Sequence, residues 1–434
     1  MKFYDREQEI EILAQNELQS RSSAVFTVIT GRRRVGKTSL ITHALEGYAY
    51  LFVSRDSEAI LCNKFQKTLE EQLGIHIYGT VTHFRELFEV MMRESMQRHF
   101  TVVFDEFQTL HRINPSIFSE MQDLWDRYHT QSRINLIVSG SIQSLMKRIF
   151  ESKAEPLYGR PTSKLTLRAF SVTVLKQILS EHYPSFSNDD LLCLYMITGG
   201  VAKYVELLMD AHCFTRKKML DYVCRADSYF LTEGRDLMNQ EFNDESATYF
   251  SILQLIANGM TRRSIIDGAM QKDTGTYLQN LESNFGLVAR LMPVLAKPNS
   301  KTTSYEISDQ FMRFWFRFIW PYQSLIERQQ FSLLRKNMDE HYEQFSGRTL
   351  EQYFQAKFME SGNFTQAGNW WNRKGENEID LIAINEFDHT GMIAEVKRNQ
   401  HRINMEKLQQ KCSALPPDFK KYKFTLSGLS LDDM

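Results

Sequence analysis

The sequence has few cysteines, almost no net charge and no long hydrophobic run, and each shortage argues against a class of protein. Its 434 residues include 5 cysteines, and none forms a C-x-x-C pair, so neither a zinc knuckle nor a dithiol redox motif is present. The formal net charge is −1, whereas constitutive, non-specific nucleic-acid binders are usually basic. Any contact with DNA or RNA must therefore use a local patch or need a trigger.

Signals for export or membrane insertion are also missing. Residues 1–13 are charged and polar, unlike a secretory signal, and reduced thiols favour a cytoplasmic protein. No stretch reaches about 18 consecutive apolar residues, so we expect no membrane span. The nearest candidate, 311–320, is short and contains Arg313 and Arg317, which favours a buried helix.

Strand and helix patterns alternate through the first part of the chain. Apolar β runs occur at 24–30, 48–54, 101–106, 134–140 and 163–167, separated by segments with helical spacing. This alternation predicts an α/β fold whose parallel sheet is covered by helices on both faces.

The pattern changes further along the chain, and we predict five segments. A sheet-containing core at 1–170 is followed by a helical lid at 171–240. Three helices and a hairpin at 241–310 indicate a winged helix, whose second helix either reads DNA or packs domains together. Connecting helices at 311–345 lead to a second mixed α/β domain at 346–434.

A glycine-rich loop follows the first predicted strand and precedes a helix. It matches G-x-x-x-x-G-K-[ST], in which backbone N–H groups and the helix N-terminus face phosphates. Lys37 is expected to reach the β- and γ-phosphates of ATP, and Thr38 to hold Mg²⁺. The residues predicted to contact the nucleotide here are Gly31, Arg32, Arg33, Arg34, Val35, Gly36, Lys37, Thr38 and Ser39. The three arginines either attract phosphate, touch an acidic partner or form a solvated face.

Polar residues at the ends of later strands supply candidates for catalysis. In TVVFDE, Asp105 is expected to bind Mg²⁺ through water and Glu106 to orient the attacking water; a helix cap beside a surface glutamate is the alternative. The next strand ends in Ser139-Gly140-Ser141, and either serine senses the γ-phosphate or caps the strand. Arg160 is a candidate arginine finger, in cis or from a neighbouring subunit, or else a surface arginine.

These motifs resemble those of the archaeal-type ATPase family, which belongs to the STAND branch of the AAA+ proteins. The matching segments are FYDREQEIEIL, GRRRVGKT, VVFDEFQ, LIVSGS, PLYGR and GGVAKYVELL, over roughly residues 1–310. The resemblance implies that Arg6 lies near the nucleotide and that Gly200 belongs to a lid contact with it, although Ala202 stands where the family usually has proline. It also implies an ATP-driven switch that holds ATP or ADP. We expect a homo-oligomer on ATP binding.

A second charged pattern lies near the C-terminus, in EIDLIAINEFDHTGMIAEVK. Asp380 falls on one predicted strand, and Glu395 and Lys397 share one face of the next because they are two residues apart. Two carboxylates can hold a divalent metal while a lysine orients or deprotonates a water, as phosphodiester hydrolysis requires, and Glu351 adds a third carboxylate. The alternative is an edge hairpin with charges on its solvent face.

The segments GRTLEQYF, GNWWNRKGENEIDLIAI and IAEVK resemble the C-terminal domain that is commonly fused to archaeal-type ATPases. That domain is similar to PD-(D/E)xK nucleases, which have a restriction-endonuclease-like α/β fold. The resemblance implies a nuclease-like site of Glu351, Asp380, Glu395 and Lys397, with Ile379 replacing the nominal proline. It also implies a second divalent metal, Mg²⁺ or Mn²⁺, and DNA or RNA as the partner.

Two functions follow from these patterns. The first is an ATP-hydrolysing switch whose nucleotide state is coupled to a metal-dependent, nuclease-like C-terminal domain. The second is a regulatory switch that binds DNA or protein without cleavage. Retention of all four C-terminal site residues favours the first, and the near-neutral net charge favours the second.

Overall fold

The chain forms two compact units. A computed structural model describes residues 1–242, 246–297, 300, 302–373 and 376–434, with only the backbone described at 240 and 246. The N-terminal unit is Asp5–Arg168, and the C-terminal unit is Met1–Tyr4 together with Ala169–Met434. The boundary after Arg168 lies close to the predicted one at 170, while the finer division of the C-terminal unit stays a prediction.

The N-terminal unit is a parallel sheet with helices, as the sequence predicts. Its strands are β1 (Val25–Gly31), β2 (Tyr48–Phe52), β3 (Phe100–Asp105), β4 (Ile134–Gly140) and β5 (Ser163–Leu167). Its helices are α1 (Glu7–Ser20), α2 (Lys37–Ala44), α3 (Glu58–Leu73), α4 (Phe84–Gln97), α5 (Leu110–Ile113), α6 (Ile117–Tyr128) and α7 (Gln143–Glu151). Across residues 5–168, all of which are described, the strand order is β2–β3–β4–β1–β5 and every pairing is parallel.

Burial on both faces explains the continuous apolar runs of the central strands. Every residue of β3 and β4 is buried, and β1 is buried except at Thr30. Phe26, Phe104 and Trp125 belong to the core of this unit. Because parallel strands end at the same edge of a sheet, the residues that follow β1, β3 and β4 are brought together there.

The C-terminal unit begins with helices and ends with a mixed sheet. Its helices are α8 (Val172–His182), α9 (Asn188–Thr198), α10 (Ala202–Asp210), α11 (Arg216–Val223), α12 (Phe230–Glu241), α13 (Ser246–Ala257), α14 (Arg263–Met270), α15 (Gly275–Ser283), α16 (Gln310–Phe318), α17 (Gln323–Glu327), α18 (Phe331–Glu360) and α19 (Met405–Cys412). Its strands are β6 (Val288–Leu291), β7 (Ser304–Ile307), β8 (Gln366–Trp371), β9 (Glu378–Asn385), β10 (Thr390–Val396) and β11 (Lys423–Leu429).

Two parts of this unit bear on function. Helices α13, α14 and α15 are followed by the antiparallel hairpin β6–β7, so the predicted three helices and hairpin are present. Among the described residues near the C-terminus, the sheet order is β11–β10–β9–β8; β9 pairs antiparallel with both neighbours, and β10 pairs parallel with β11.

Helix α18 is longer than the sequence pattern suggests. We predict a helix near 348–360 and a segment boundary at 345/346, whereas the helix runs from Phe331 to Glu360 without a break. The apolar stripe continues through Leu334, Met338 and Tyr342, all of which are buried, and this packing extends the helix across the predicted boundary. In the described part of the chain, no helix is long and apolar enough to cross a membrane.

Candidate functional sites

The phosphate loop has the backbone that its sequence demands. Gly31 has φ 154°, and a Cβ atom there would lie 2.6 Å from the Leu167 carbonyl oxygen, so only glycine fits. Gly36, with φ 100°, caps α2, which begins at Lys37. The Lys37 ammonium donates hydrogen bonds to the carbonyl oxygens of Gly31 at 2.9 Å and Arg32 at 3.2 Å.

Burial sets the electrostatics of the loop lysine. Burial lowers the pKa of Lys37 to about 8, against the opposing effect of the Glu106 and Asp105 carboxylates. A buried ammonium that lacks full compensation binds an anion readily, which suits a phosphate site. Arg32, Arg33 and Arg34 are half-buried, while Thr38 and Ser39 are exposed at the start of α2.

The predicted acidic residues lie beside the loop. The Thr38 hydroxyl donates to Asp105 Oδ2 at 3.2 Å. Glu106 has a left-handed backbone with φ 56°, and the Ser141 hydroxyl lies 2.9 Å from each of its carboxylate oxygens. The Gln108 amide also donates to Glu106. The structure thus brings together the residues predicted to hold Mg²⁺, to orient water and to sense the γ-phosphate.

The two serines that the sequence left open differ in position. Ser139 is buried within β4, and its hydroxyl has no hydrogen-bond partner in the described part of the chain. Ser141 lies beyond the strand and is hydrogen-bonded to Glu106. Of the two, Ser141 is therefore the one at the phosphate edge of the sheet.

Arg6 lies next to the phosphate loop. It caps α1 with φ 86°, and its guanidinium donates to the carbonyl oxygens of Arg168 at 2.7 Å and Val35 at 3.5 Å. A positive φ at a non-glycine residue costs energy and is held by its surroundings. The position agrees with the expected location near the nucleotide, although a direct contact stays a prediction.

Arg160 lies at the opposite edge of the sheet. The Thr162 backbone N–H donates to the carbonyl of Phe26, so the segment before β5 runs beside the start of β1. The Arg160 guanidinium binds Asp126 with distances of 2.9 and 3.3 Å. The seven residues of β1 separate this edge from the phosphate loop by about 20 Å. The chain does not bring Arg160 to its own phosphate site, and action on a neighbouring subunit stays a prediction.

Gly200 has a structural reason to be glycine within its own unit. Its φ is 77°, and a Cβ atom would lie 2.2 Å from the Phe170 carbonyl oxygen. Its own carbonyl accepts a 2.8 Å hydrogen bond from the Phe170 backbone N–H. This close approach explains the glycine without a nucleotide, and the predicted lid contact stays a prediction.

Tyr50 belongs to the site but was not found from the sequence. Its hydroxyl donates to Asp105 Oδ2, the same oxygen that Thr38 contacts. Burial, together with this hydrogen bond, raises the pKa of Tyr50, so the phenol remains a proton donor. The sequence could have identified Tyr50 only as a tyrosine on β2, because the pairing of β2 with β3 that brings it to Asp105 is known only from the structure.

Replacing Tyr50 with phenylalanine tests its role. We expect Mg²⁺-dependent ATP turnover to fall about tenfold, the effect of one hydrogen bond to a charged group, because Asp105 loses the donor that fixes its carboxylate. Nucleotide binding measured without Mg²⁺ should not change. Tyr128→Phe, which removes a hydroxyl bonded to Glu89, is the matched control. Equal turnover in both variants would contradict this role.

Four charged residues meet in the C-terminal unit, and we refer to Glu351, Asp380, Glu395 and Lys397 as the C-terminal cluster. The Lys397 ammonium lies 2.7 Å from Asp380 Oδ2 and 3.7 Å from Glu395 Oε1. Asp380 Oδ2 also accepts a 2.9 Å hydrogen bond from the Val396 backbone N–H. The four residues come from α18, β9 and the end of β10, so the fold assembles the predicted set.

Asn369, which the sequence did not single out, connects two members of the cluster. Its side-chain amide donates to Glu351 Oε2 at 3.1 Å and to the Asp380 carbonyl oxygen at 2.6 Å. Asp380 and Glu395 are only 9% and 5% exposed, and they lie on inner strands of the described sheet. The alternative of an edge hairpin with solvent-facing charges is therefore wrong.

No preformed metal cage accompanies this arrangement. Among the residues that the structure describes, no group of three or more histidine, cysteine, aspartate or glutamate side chains could hold a metal ion. The Lys397 ammonium lies between two carboxylates instead. Burial lowers the pKa of Lys397, but the hydrogen bond and charge of Asp380 outweigh it and leave the pKa above its usual value.

Glu351 gives the C-terminal cluster a pH-dependent stability. Burial raises its pKa to about 7, Arg348 opposes the rise and the Asp380 charge adds to it. Because the pKa of Glu351 is higher in the folded than in the unfolded chain, its protonated form stabilises the fold. This contribution is complete below pH about 4.5 and is lost as the pH rises through about 7.

Without divalent metal, we expect the unfolding free energy of the C-terminal unit to fall by up to roughly 3 kcal/mol across this window. Glu351→Gln should flatten the profile, because glutamine does not ionise, whereas Glu340→Gln, at an exposed position of the same helix, should not. Urea unfolding in EDTA between pH 5 and 8 measures this. Parallel profiles for wild type and Glu351→Gln would contradict the assignment.

Comparison with known proteins identifies two families along the chain. Residues 3–208 match a family described as an ATPase domain predominantly from Archaea. Residues 315–410 match a second family, described as archaeal and bacterial proteins of unknown function. An uncharacterised protein of Methanocaldococcus jannaschii is 31% identical over 413 residues, which is 91% of this chain and 87% of the relative.

Solved structures share the fold at low identity. The Walker-type ATPase of Pyrococcus abyssi has a TM-score of 0.52 and 20% identity, over 73% of this chain and 96% of its own. The ORC2 protein of Aeropyrum pernix has a TM-score of 0.49 and 16% identity, over 76% of this chain and 96% of its own. The ATPase family match, the sheet order and the phosphate loop together identify a P-loop ATPase domain, and the fold is shared with the Walker-type ATPase. The chain belongs to the family of archaeal-type ATPases in which an ATPase domain found predominantly in Archaea precedes a C-terminal domain of unknown function.

Proposed function

We propose that the protein is an ATP-hydrolysing switch whose nucleotide state controls a metal-dependent, nuclease-like site. The observation that carries the proposal is the convergence of Glu351, Asp380, Glu395 and Lys397 in the same chain as a complete phosphate loop. The resemblance to STAND proteins supports a switch that changes state on nucleotide binding.

The residues around the phosphate loop suit Mg²⁺ and ATP. The Thr38 hydroxyl and Asp105 Oδ2 lie 3.2 Å apart, and both are the hard oxygen donors that Mg²⁺ prefers. Bound Mg²⁺ would neutralise charge on the phosphates. On ATP binding, the Lys37 ammonium would give up its hydrogen bonds to the Gly31 and Arg32 carbonyl oxygens and bond phosphate oxygens instead. The Asp105 carboxylate would bind Mg²⁺ through water.

Glu106 is held by its neighbours until the γ-phosphate arrives. Its carboxylate accepts hydrogen bonds from Ser141 and Gln108. A γ-phosphate near Ser141 competes for that hydroxyl, which frees a Glu106 oxygen to orient the attacking water. Hydrolysis is thereby linked to correct seating of the γ-phosphate.

The C-terminal cluster has the donor set for Mg²⁺ or Mn²⁺. Carboxylate oxygens of Asp380 and Glu395 both approach the Lys397 ammonium. The side-chain amide of Asn369 connects Glu351 with Asp380, because it donates to the Glu351 carboxylate and to the Asp380 backbone carbonyl. A divalent metal would lower the pKa of a bound water and neutralise a phosphodiester. Asp380 and Glu395 would hold the metal, and the Lys397 ammonium, released from Asp380, would orient a water for attack. Displacement of the lysine is the step that a switch can control.

The helices α13–α15 and the hairpin β6–β7 support a winged helix, which lies between the two sites in the sequence. Helix α15, the predicted recognition helix, carries Glu282 and no positive charge, which favours a packing role over base readout. A winged helix in this position would connect the ATP state with access to the C-terminal cluster.

A cleavage assay tests the proposal. Linear, circular and single-stranded DNA and RNA are incubated with the full-length protein and Mg²⁺ or Mn²⁺, with and without ATP. Asp380→Asn should abolish cleavage, since it removes a charge but keeps an acceptor for the Val396 N–H. Lys37→Ala should abolish the effect of ATP. Cleavage that is unchanged by ATP or by Lys37→Ala would contradict the coupling.

A second function is favoured by the state of the C-terminal cluster. The Lys397 ammonium between Asp380 and Glu395 offsets part of their negative charge without a metal, and the chain has a net charge of only −1. Both features suit a switch that binds nucleic acid or protein without cutting. Intact ATP turnover with no cleavage of any substrate would support this function.

A further inference from the structure

A cavity of about 500 Å³ lies within the C-terminal unit and reaches the C-terminal cluster. Glu351 and Asn369 line one side of it, where α18 meets β8. The opposite side is formed by the end of α13 and the hairpin β6–β7, including Tyr305. The cavity therefore leads from the three-helix and hairpin segment toward the proposed hydrolytic site.

Positive charge on the cavity wall is incompletely balanced. Arg348 pairs with Glu306 and Glu351. Arg262 and Arg317 also line the cavity, and neither makes an ion pair with any described residue. Such cations attract an anionic ligand.

Arg313 is the most unusual cation of this wall. It is 7% exposed, and its guanidinium donates to the neutral oxygens of Thr349 at 2.9 Å and Gln352 at 2.9 Å. It lies 4.1 Å from the centre of the Phe345 ring and makes no ion pair within the described part of the chain. Burial lowers its pKa to about 10, which still leaves it charged near neutral pH.

A buried cation that makes no ion pair is costly unless an anion compensates it, and the charges of Glu306 and Glu351 offset the burial of Arg313 only in part. The cavity provides room for such an anion beside Arg313. Arginine also suits phosphate, because its planar guanidinium can donate two parallel hydrogen bonds. A phosphate group near Arg313 and Arg317 would balance the charge of this wall.

Aromatic groups in the same cavity match the other half of a nucleotide. Trp371 and Tyr305 line it, and aromatic side chains bind nucleobases by stacking. The volume is in the range of pockets for small molecules, about 300–1,000 Å³. One nucleotide unit fits such a space, whereas a base-paired duplex does not.

We propose that this cavity binds one nucleotide unit of a single-stranded nucleic acid, with the phosphate at Arg313 and Arg317 and the base against Trp371. The proposal deepens the proposed nuclease-like function by naming its substrate as a single strand or a frayed end. Threading of the strand past Glu351 would bring the neighbouring phosphodiester to the C-terminal cluster.

Binding is measured separately from cleavage. Fluorescence anisotropy follows a labelled single-stranded oligonucleotide with full-length protein in EDTA, which prevents metal-dependent cutting. Arg317→Ala and Trp371→Ala should each weaken binding about tenfold, the usual loss for one phosphate or stacking contact. The matched control is Arg290→Ala, which removes an exposed arginine of the neighbouring strand β6 and should change binding less than twofold. Near-ultraviolet circular dichroism verifies that each variant is folded.

Competition identifies the part of the strand that is bound. A free nucleoside monophosphate should displace the oligonucleotide, and a blunt duplex should compete poorly. Equal weakening by Arg317→Ala and Arg290→Ala would overturn the proposal, because it would indicate non-specific attraction. Absence of oligonucleotide binding, or equal affinity for duplex and single strand, would also overturn it.

The two proposals fail in distinguishable ways. Arg317-dependent binding without cleavage in Mg²⁺ or Mn²⁺ would support the cavity and contradict the nuclease. Cleavage that depends on Asp380, together with binding that is insensitive to Arg317→Ala and Trp371→Ala, would support the nuclease and overturn the cavity.

Discussion

Replacing Glu106 with glutamine is expected to lower ATP turnover by roughly 10²–10⁴-fold while ATP binding remains nearly unchanged. Glutamine keeps the size of the side chain but loses the charged acceptor that orients water. The Glu106 carboxylate accepts hydrogen bonds from Ser141 and Gln108, whereas the hydrogen bonds of the Lys37 ammonium go to the Gly31 and Arg32 carbonyls, so the change should leave the phosphate loop in place. Steady-state phosphate release and binding of a fluorescent ATP analogue measure the two effects.

Lys37→Ala gives the contrasting result. This change removes the ammonium that faces the phosphates, so both binding and turnover should fall, turnover by roughly 10²-fold or more.

The matched control for Glu106→Gln is Glu71→Gln, which removes a glutamate charge at an exposed position on α3. Wild-type turnover in Glu106→Gln would rule out Glu106 as the residue that orients water.

Replacing Lys397 with methionine should make the C-terminal unit more responsive to divalent metal than the wild type. The ammonium lies between Asp380 and Glu395, and its loss leaves two nearly buried carboxylates without a common cation. In EDTA we expect a loss of about 1–3 kcal/mol in unfolding free energy, less than for a fully buried pair because the Lys397 side chain is 35% exposed.

Mn²⁺ should restore more stability to Lys397→Met than it adds to the wild type, since the metal then meets no competing ammonium. Thermal unfolding followed by tryptophan fluorescence suits this test, because Trp370 and Trp371 lie on β8 in the same sheet. The control is Lys407→Met, an exposed lysine on α19. An equal effect of Mn²⁺ on both variants and the wild type would indicate that the carboxylates do not form a cation site.

Features that rest on local chemistry were predictable from the sequence. The parallel sheet followed from continuous apolar runs, and the phosphate loop followed from glycine spacing between a strand and a helix. The cluster of Asp380, Glu395 and Lys397 followed from strand alternation within a short hairpin. In each case the functional residues are close together in the chain, or the alternation of a strand determines which face of the sheet their side chains occupy.

Features that depend on pairing between distant segments were not predictable. β4 lies between β1 and β3, and β2 lies outside β3, so Tyr50 reaches Asp105 only through the sheet order. The same topology places Arg160 at the far edge from the phosphate loop, although sequence order alone suggested a finger. Asn369 connects Glu351 with Asp380 because β8 pairs with β9, a register that no single segment encodes.

The path of the chain through its two units sets an order for folding during synthesis. The chain enters the N-terminal unit at Asp5 and leaves it at Arg168, whose carbonyl accepts a 2.7 Å hydrogen bond from Arg6. Tyr4, which precedes the N-terminal unit in the chain, belongs to the other unit, where its hydroxyl bonds Glu181 at 2.9 Å. Domains generally fold as units while the ribosome is still translating. The N-terminal unit can therefore fold on the ribosome while Tyr4 waits for Glu181, a partner that emerges only after Arg168.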